Sequence, residues 1–188
     1  LATAMSFSPG PNTTLSTALA ANGGLRHAMR FVWAVPVGWC LLLLLCAAGV
    51  GGLVVAVPAL RGGIKAVGVA YLLWLAWKLS GSATLGQAAG DKLQISFRQG
   101  VALQFVNIKA WLLALTIIAG WVAGHPDAQQ RMAIVSPVML FFAFASNLFY
   151  ALVGAVLRSW LAQGKRLLWF NRCMAGILVL TAAWMLKI

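Results

Sequence analysis

The stretch Phe7-Ser8-Pro9-Gly10-Pro11-Asn12-Thr13-Thr14 lies inside the first uncharged run of the chain, residues 1–25. Two prolines and a glycine in three consecutive positions cannot continue a regular helix. Each proline lacks an amide hydrogen and clashes with the preceding turn, and glycine adds backbone entropy. The surrounding residues are nevertheless apolar enough for a bilayer, where irregular backbone is tolerated only against protein or a water-filled cavity. The stretch therefore reads as a discontinuous membrane helix. Ser8 is expected to cap a new half-helix with Pro9 at its first position, running through Thr13 and Thr14 to a stop at Asn22-Gly23-Gly24. Free amides at such an N-terminus attract anions, and freed carbonyls can hold cations.

Composition places this break in a membrane. Of 188 residues 62% are hydrophobic and 9% charged, with 14 Lys plus Arg against 2 acids, a net charge of +12 and a mean hydropathy of +0.92. A soluble domain carries about 25% charged residues and a disordered chain has low hydrophobicity, so both classes are excluded. Three cysteines are too few for a disulfide scaffold. A nucleic-acid binder would carry its basic excess on a solvated face; here long uncharged runs separate the charges. A membrane helix needs about 20 mostly apolar residues. The runs predict six spans, at roughly 1–22, 33–57, 62–80, 99–123, 132–157 and 168–187, with terminal Lys and Arg snorkelling to lengthen the short ones. No run alternates as a membrane barrel strand would. The fold expected is an all-α integral membrane protein. No cleavable signal peptide is visible, and the native chain is expected to start before Leu1.

The charges also set orientation. Arg26, Arg30, Lys78, Lys92, Arg98, Arg158, Lys165, Arg166 and Arg172 fall in or beside the odd-numbered loops; Arg61, Lys65, Arg131 and Lys187 belong to the even loops and the tail. The excess predicts cytoplasmic odd loops and both termini outside. Trp74, Trp77 and Lys78 fit an interfacial belt. Lys109 stands apart. It lies inside the fourth span, about ten residues or roughly 15 Å from the predicted cytoplasmic end, too deep for snorkelling alone. A lysine at a helix centre costs on the order of 3 kcal/mol on insertion scales, so such a residue is a functional candidate. Bonding to carbonyls of the first break, for assembly alone, is the competing explanation. Asn107 beside it, like Asn12, offers both a donor and an acceptor.

The first and fourth spans are thus both polar and interrupted, and each opens a group of three. A three-span repeat inserts its second copy upside down, so the pattern predicts two inverted three-helix repeats, residues 1–80 and 99–188, within one transmembrane domain covering 1–188, with a substrate site at the midplane. The candidate substrate-binding residues are Pro9, Gly10, Pro11, Asn12, Asn107 and Lys109, with Tyr71 and Asn147 added. Asn147 and Tyr150, one helical step apart, are expected to hydrogen-bond a neighbouring helix or to line the pathway. The Gly120/Gly124 pair and Gly49, Gly51 and Gly52 read as close-packing positions.

At these residues the chain resembles the LysE/RhtB family of amino-acid exporters. The resemblance rests on Ser8-Pro9-Gly10-Pro11-Asn12, on Gly23 and Gly24 before a basic loop, on Val69-Ala70-Tyr71-Leu72-Leu73-Trp74-Leu75-Ala76-Trp77-Lys78, and on Phe105-Val106-Asn107-Ile108-Lys109-Ala110. The family commonly has Asn-Pro-Lys at the last of these; Ile108 replaces the proline, so the steric reason for a sharp break there is missing. Val101-Ala102-Leu103-Gln104-Phe105-Val106-Asn107-Ile108-Lys109 is similar to the cysteine/O-acetylserine exporter branch, which also lacks the proline. The resemblance implies export of amino acids across a bacterial inner membrane, attributed to the proton gradient. The residues are compatible: a zwitterion's carboxylate can meet Lys109 and half-helix amides, and its ammonium Asn12, Asn107 and freed carbonyls. The scarcity of acids argues against a cationic substrate.

Proton coupling has no obvious carrier. Asp91 and Asp127 fall in predicted loops, and His27 and His125 read as solvated loop histidines. Lys109 is left as the candidate. The partners expected are a small-molecule amino acid and the bilayer, without nucleic acid, and a homo-oligomer is compatible with the composition. No cofactor, metal or enzymatic activity is expected. A membrane thiol-redox relay is the first alternative, but Cys40 and Cys46 share one helix about 240° apart, Cys173 is remote and no C-x-x-C occurs. Metal-ion efflux, the second, would need acids or histidines within the spans.

Overall fold

A computed structural model describes residues 6–82 and 93–187. The start of the first expected span, residues 1–5, and Asp91 and Lys92 of the expected third loop lie outside the described residues. Every regular element among the described residues is helical. In chain order these are α1 (Pro11–Gly23), α2 (Leu25–Ala47), α3 (Val50–Ala56), α4 (Pro58–Ser80), α5 (Phe97–Val106), α6 (Ile108–Ile117), a π turn (Ile118–Val122), α7 (Ala128–Leu161) and α8 (Arg166–Lys187). Four helices, α2, α4, α7 and α8, are each long and apolar enough to cross a membrane, and α5 with the α6–π segment makes a fifth crossing if the bent pair is one span.

Several expected boundaries move. The half-helix starts at Pro11, not Pro9: Gly10 stands before it, and the Thr13 hydroxyl accepts from the Gly10 amide and donates to the Gly10 carbonyl, 3.1 Å each. Its stop is where the glycines put it, with Gly24 at a φ of 84°. The basic residues Arg26 and Arg30 and the loop histidine His27 lie in the first turns of α2, because Gly24 alone makes the turn; the His27 ring reaches to 3.3 Å from the Leu93 carbonyl oxygen. The single span expected at 33–57 is divided at Ala48-Gly49, where Gly49 takes a φ of 91° that favours glycine. Arg61 and Lys65 lie in α4 rather than in a loop, since Pro58 opens that helix early.

The fourth span breaks sharply despite Ile108. Helices α5 and α6 meet at 68°. Asn107 makes the break in place of a proline: its backbone is extended and its side-chain oxygen accepts the Lys109 amide at 3.2 Å, the N-cap bond of α6. The carbonyls freed at the end of α5 are accommodated. Trp111 Nε1 donates to Phe105 O at 2.7 Å, and Val106 O rests on Gly68 of α4, where a Cβ would come within 2.1 Å of it.

Helix α1 is the centre of the molecule. Almost all its residues are buried, and it is packed by α7, α2 and α8. Glycine makes the closest approach possible: a Cβ at Gly154 of α7 would lie 2.2 Å from Thr17 O. The glycines expected to pack closely do not all do so. Gly49, Gly52, Gly120 and Gly124 face open space, and only Gly51, against Leu115 and Cys46, is tightly enclosed. Two large apolar clusters fill most of the interior, one around Leu15, Leu19, Phe31 and Leu75, the other around Trp39, Leu43, Trp111 and Ile117, with a smaller one of Ala21, Leu161 and Leu167. Apolar side chains such as Val156, Trp77 and Leu180 cover the outside, more than two-thirds exposed, as a lipid-facing surface requires.

Candidate functional site

The two interior clusters meet at a cavity of about 70 Å³. Its walls come from both broken segments and from the helices that cross beside them. Gly10, Pro11, Asn12 and Thr13 enter from the first break, Asn107, Lys109 and Ala110 from the second, Val35 and Trp39 from α2, and Ser146 and Asn147 from α7. Positions about 95 residues apart in sequence thus share one small space, since residues of both breaks line it.

Lys109 is the only charged residue lining this cavity among the described residues. Its ammonium donates to the Ser8 hydroxyl at 2.6 Å and approaches the Ser8 carbonyl at 3.4 Å. Gly10 leaves it room, since a Cβ there would stand 3.4 Å from Nζ. Lys109 therefore bonds the first break and also borders the cavity. At the opposite wall Asn147 accepts from Ser16 Oγ at 2.8 Å and donates to Ala143 O at 2.8 Å. Tyr150 donates to Phe7 O at 2.9 Å, a carbonyl released by the first break. Both residues expected to bond a neighbouring helix do so, and Asn147 also lines the cavity.

Of the eight sequence candidates, six line the cavity: Gly10, Pro11, Asn12, Asn107, Lys109 and Asn147. Pro9 does not. It is exposed and faces a separate groove of about 550 Å³ between α6 and α8, whose floor includes the other side of Lys109. Tyr71 does not either. It sits on α4, stacked on Trp74 with ring centroids 5.7 Å apart, its hydroxyl buried and without a hydrogen bond to any described residue. Ser6, Ser8, Thr13, Ser146 and Trp39 line the cavity without having been singled out as binding residues. For Ser8 a signal existed, a hydroxyl directly before Pro9. Ser146 and Trp39 are ordinary residues of long apolar helices, and only the rotation of those helices brings them in.

Beyond Ser16 and Asn147 the interior is closed. Thr17 and Asn22 are buried, and Asn22 and Asn171 of α8 exchange two carboxamide bonds of 2.8 and 2.9 Å while Asn171 also donates to Ser82 O at 2.8 Å. The outer charges are held apart from the cavity. Arg131 bonds Asp127 at 2.9 Å, and that bond holds the Asp127 carboxyl below the usual carboxylate range. Cys40, Cys46 and Cys173 are all unpaired thiols, and no group of three metal-ligating side chains occurs among the described residues.

No solved structure matches the chain. A cysteine/O-acetylserine efflux protein of Escherichia coli is 34% identical over 182 residues, covering 97% of this chain and 91% of that protein. A cysteine/O-acetylserine efflux protein of Salmonella typhimurium is 32% identical over 177 residues, covering 94% and 89%. The sequence pattern of the LysE type translocators matches residues 3–187. With a family match over nearly its whole length and relatives above 30% identity, this chain belongs to the LysE type translocator family.

Proposed function

We propose that the protein is a secondary exporter of small amino acids with uncharged side chains, cysteine and O-acetylserine among them, across a bacterial inner membrane, with the cavity between the two helix breaks as its site. It is a multi-pass membrane transporter and not an enzyme. The observation that carries the reading is Lys109: a lone ammonium bordering a cavity whose other polar groups are carboxamides and hydroxyls, with no carboxylate in its lining among the described residues. An amino acid's carboxylate replaces Ser8 at Lys109 and accepts from the first amides of α1, those of Asn12 and Thr13. Its ammonium is met by the carboxamide oxygens of Asn12, Asn107 and Asn147. A second ammonium, as on lysine, would find no countercharge. Pro9 contributes by breaking the helix, and Tyr71 acts from outside the cavity.

The cavity has room for only a few waters at about 70 Å³, so loading requires its walls to part. The reading is six spans in one domain over 1–188, the first completed by the residues before Pro11, forming inverted repeats 1–80 and 99–188 that rock around the site. What supports this is the matched position of the two breaks, each opening a set of helices. Odd loops face the cytoplasm and both termini the outside, as the basic residues favour. The reading needs lipid and substrate as partners, involves no nucleic acid, and accommodates a homo-oligomer.

Counterflow in proteoliposomes with a panel of labelled amino acids tests it. Small neutral amino acids are expected to exchange and lysine not. Lys109→Ala is expected to raise KM by roughly 10- to 100-fold, the equivalent of one hydrogen bond to a charged group. Exchange of no amino acid by the parent protein would overturn the reading.

A further inference from the structure

Gln104 is fully buried three residues before the second break, yet it touches none of the cavity. Its carboxamide makes three hydrogen bonds. Nε2 donates to Asn12 Oδ1 at 3.1 Å and to Gly100 O at 3.1 Å, and Oε1 accepts from Asn12 Nδ2 at 2.8 Å. The two bonds with Asn12 close a ring in which each carboxamide both donates and accepts. That ring fixes the plane of the Asn12 side chain and assigns its atoms. One Nδ2 hydrogen and one lone pair of Oδ1 are taken by Gln104, and the other hydrogen and lone pair remain for whatever occupies the cavity that Asn12 lines.

Holding a carboxamide at this depth is costly unless all its bonds are made, and space is kept for it. Gly38 of α2 lies against it: a Cβ there would come 2.7 Å from Gln104 Cγ and 2.7 Å from Val101 O. A leucine at 104 would fill the same volume without burying polar atoms, so packing alone does not account for glutamine. What glutamine adds is a hold on Asn12 across the junction between the two broken segments.

We propose that Gln104 is a positioning residue for transport: it orients the Asn12 carboxamide so that both a donor and an acceptor face the amino acid. The proposal rests on the reading of the cavity as the amino-acid site. The test is counterflow in proteoliposomes with an amino acid that the parent exchanges, comparing Gln104→Met, Asn12→Ala and the double variant. Gln104→Met is expected to raise KM about fivefold, the equivalent of one neutral hydrogen bond, with maximal rate within about twofold of the parent. In the Asn12→Ala background the same substitution is expected to leave KM unchanged, because the group it positions is gone.

An unchanged KM in Gln104→Met, with an active parent and a raised KM in Asn12→Ala, overturns the proposal and leaves the site reading standing. An equal loss in both backgrounds also overturns it, since the effect would not pass through Asn12. Gln104→Glu is a second variant that keeps the acceptor toward Asn12 Nδ2. Failure of both Gln104 variants to give a monodisperse, folded protein would mark the residue as one needed for folding and overturn the assignment. A parent that exchanges no amino acid would instead remove the site reading itself.

Discussion

Lys109 is satisfied by Ser8 through neutral oxygens only. Its charge is therefore solvated but not cancelled, and it is the one basic group bordering the cavity among the described residues. This makes it the remaining candidate for a proton carrier. Asp127 is not one. The bond from Arg131 holds its carboxyl below the usual range, so the ion pair is fully present above the ordinary carboxylate pKa and is lost only as pH falls through the lowered one. It stays ionised near neutrality. In proteoliposomes with an imposed pH gradient, Asp127→Asn is expected to keep the gradient dependence of transport. Lys109→Met is expected to lose it, beyond its loss of binding. Unchanged gradient dependence in Lys109→Met would show that the proton travels elsewhere.

At the scale of the helix, three polar contacts tie α1 to other elements at intervals along its length: Asn12 to α5, Ser16 to α7 and Asn22 to α8. Close backbone packing against α7 adds to them, and it depends on Gly154. Gly154→Val pushes a branched side chain onto Thr17 O and is expected to cost about 1–3 kcal/mol by overpacking, read as a lowered Tm in detergent. Gly176→Val, where nothing lies within 4 Å, is expected to leave Tm within a degree or two. Which glycines are of which kind was not legible in the sequence. Spacing alone favoured Gly120 and Gly124, which face open space, over Gly38, Gly68 and Gly154. That the chain is built of long apolar helices was legible from charge spacing, because uncharged runs of helical length have few alternatives; their bounds were less so, as the division at Ala48-Gly49 shows. The cavity residues were legible where a polar group interrupts such a run, as at Asn12, Asn107 and Lys109. The sharpness of the second break was not legible, since Ile108 removes the proline that would announce it and the cap that Asn107 supplies is seen only in the structure. Ser146 and Trp39 were not, because rotation about a helix axis is set by packing.

At the scale of the molecule, the cavity lies between two differently built ends. One is closed by the Asn22–Asn171–Ser82 bonds, with the Arg158 guanidinium close to Gly24 and the basic residues Arg26 and Arg30 in the first turns of α2. The other ends near the Asp127–Arg131 pair. If the basic end faces the cytoplasm, Gln163→Cys is expected to react with an impermeant maleimide only in inverted vesicles. Gly124→Cys is expected to react only in right-side-out cells. Both measurements need a background lacking Cys40, Cys46 and Cys173, and the reverse pattern would invert the topology.

A lone ammonium with no fixed counter-ion among the described residues also has an electrical consequence. An amino acid with an uncharged side chain enters as a zwitterion and adds no net charge, so the loaded and empty forms carry the same +1 at Lys109. Whatever work the membrane voltage does on that charge in one half of an exchange, about 2.3 kcal/mol for each 100 mV crossed, it undoes in the other half. Amino-acid exchange at constant pH is therefore expected to proceed at the same net stoichiometry whether the voltage is clamped at zero or at a potassium diffusion potential, with no current accompanying it. Voltage enters the balance only when Lys109 carries a different charge on the outward and the return crossing, which makes that lysine the point where electrical and chemical driving forces are joined.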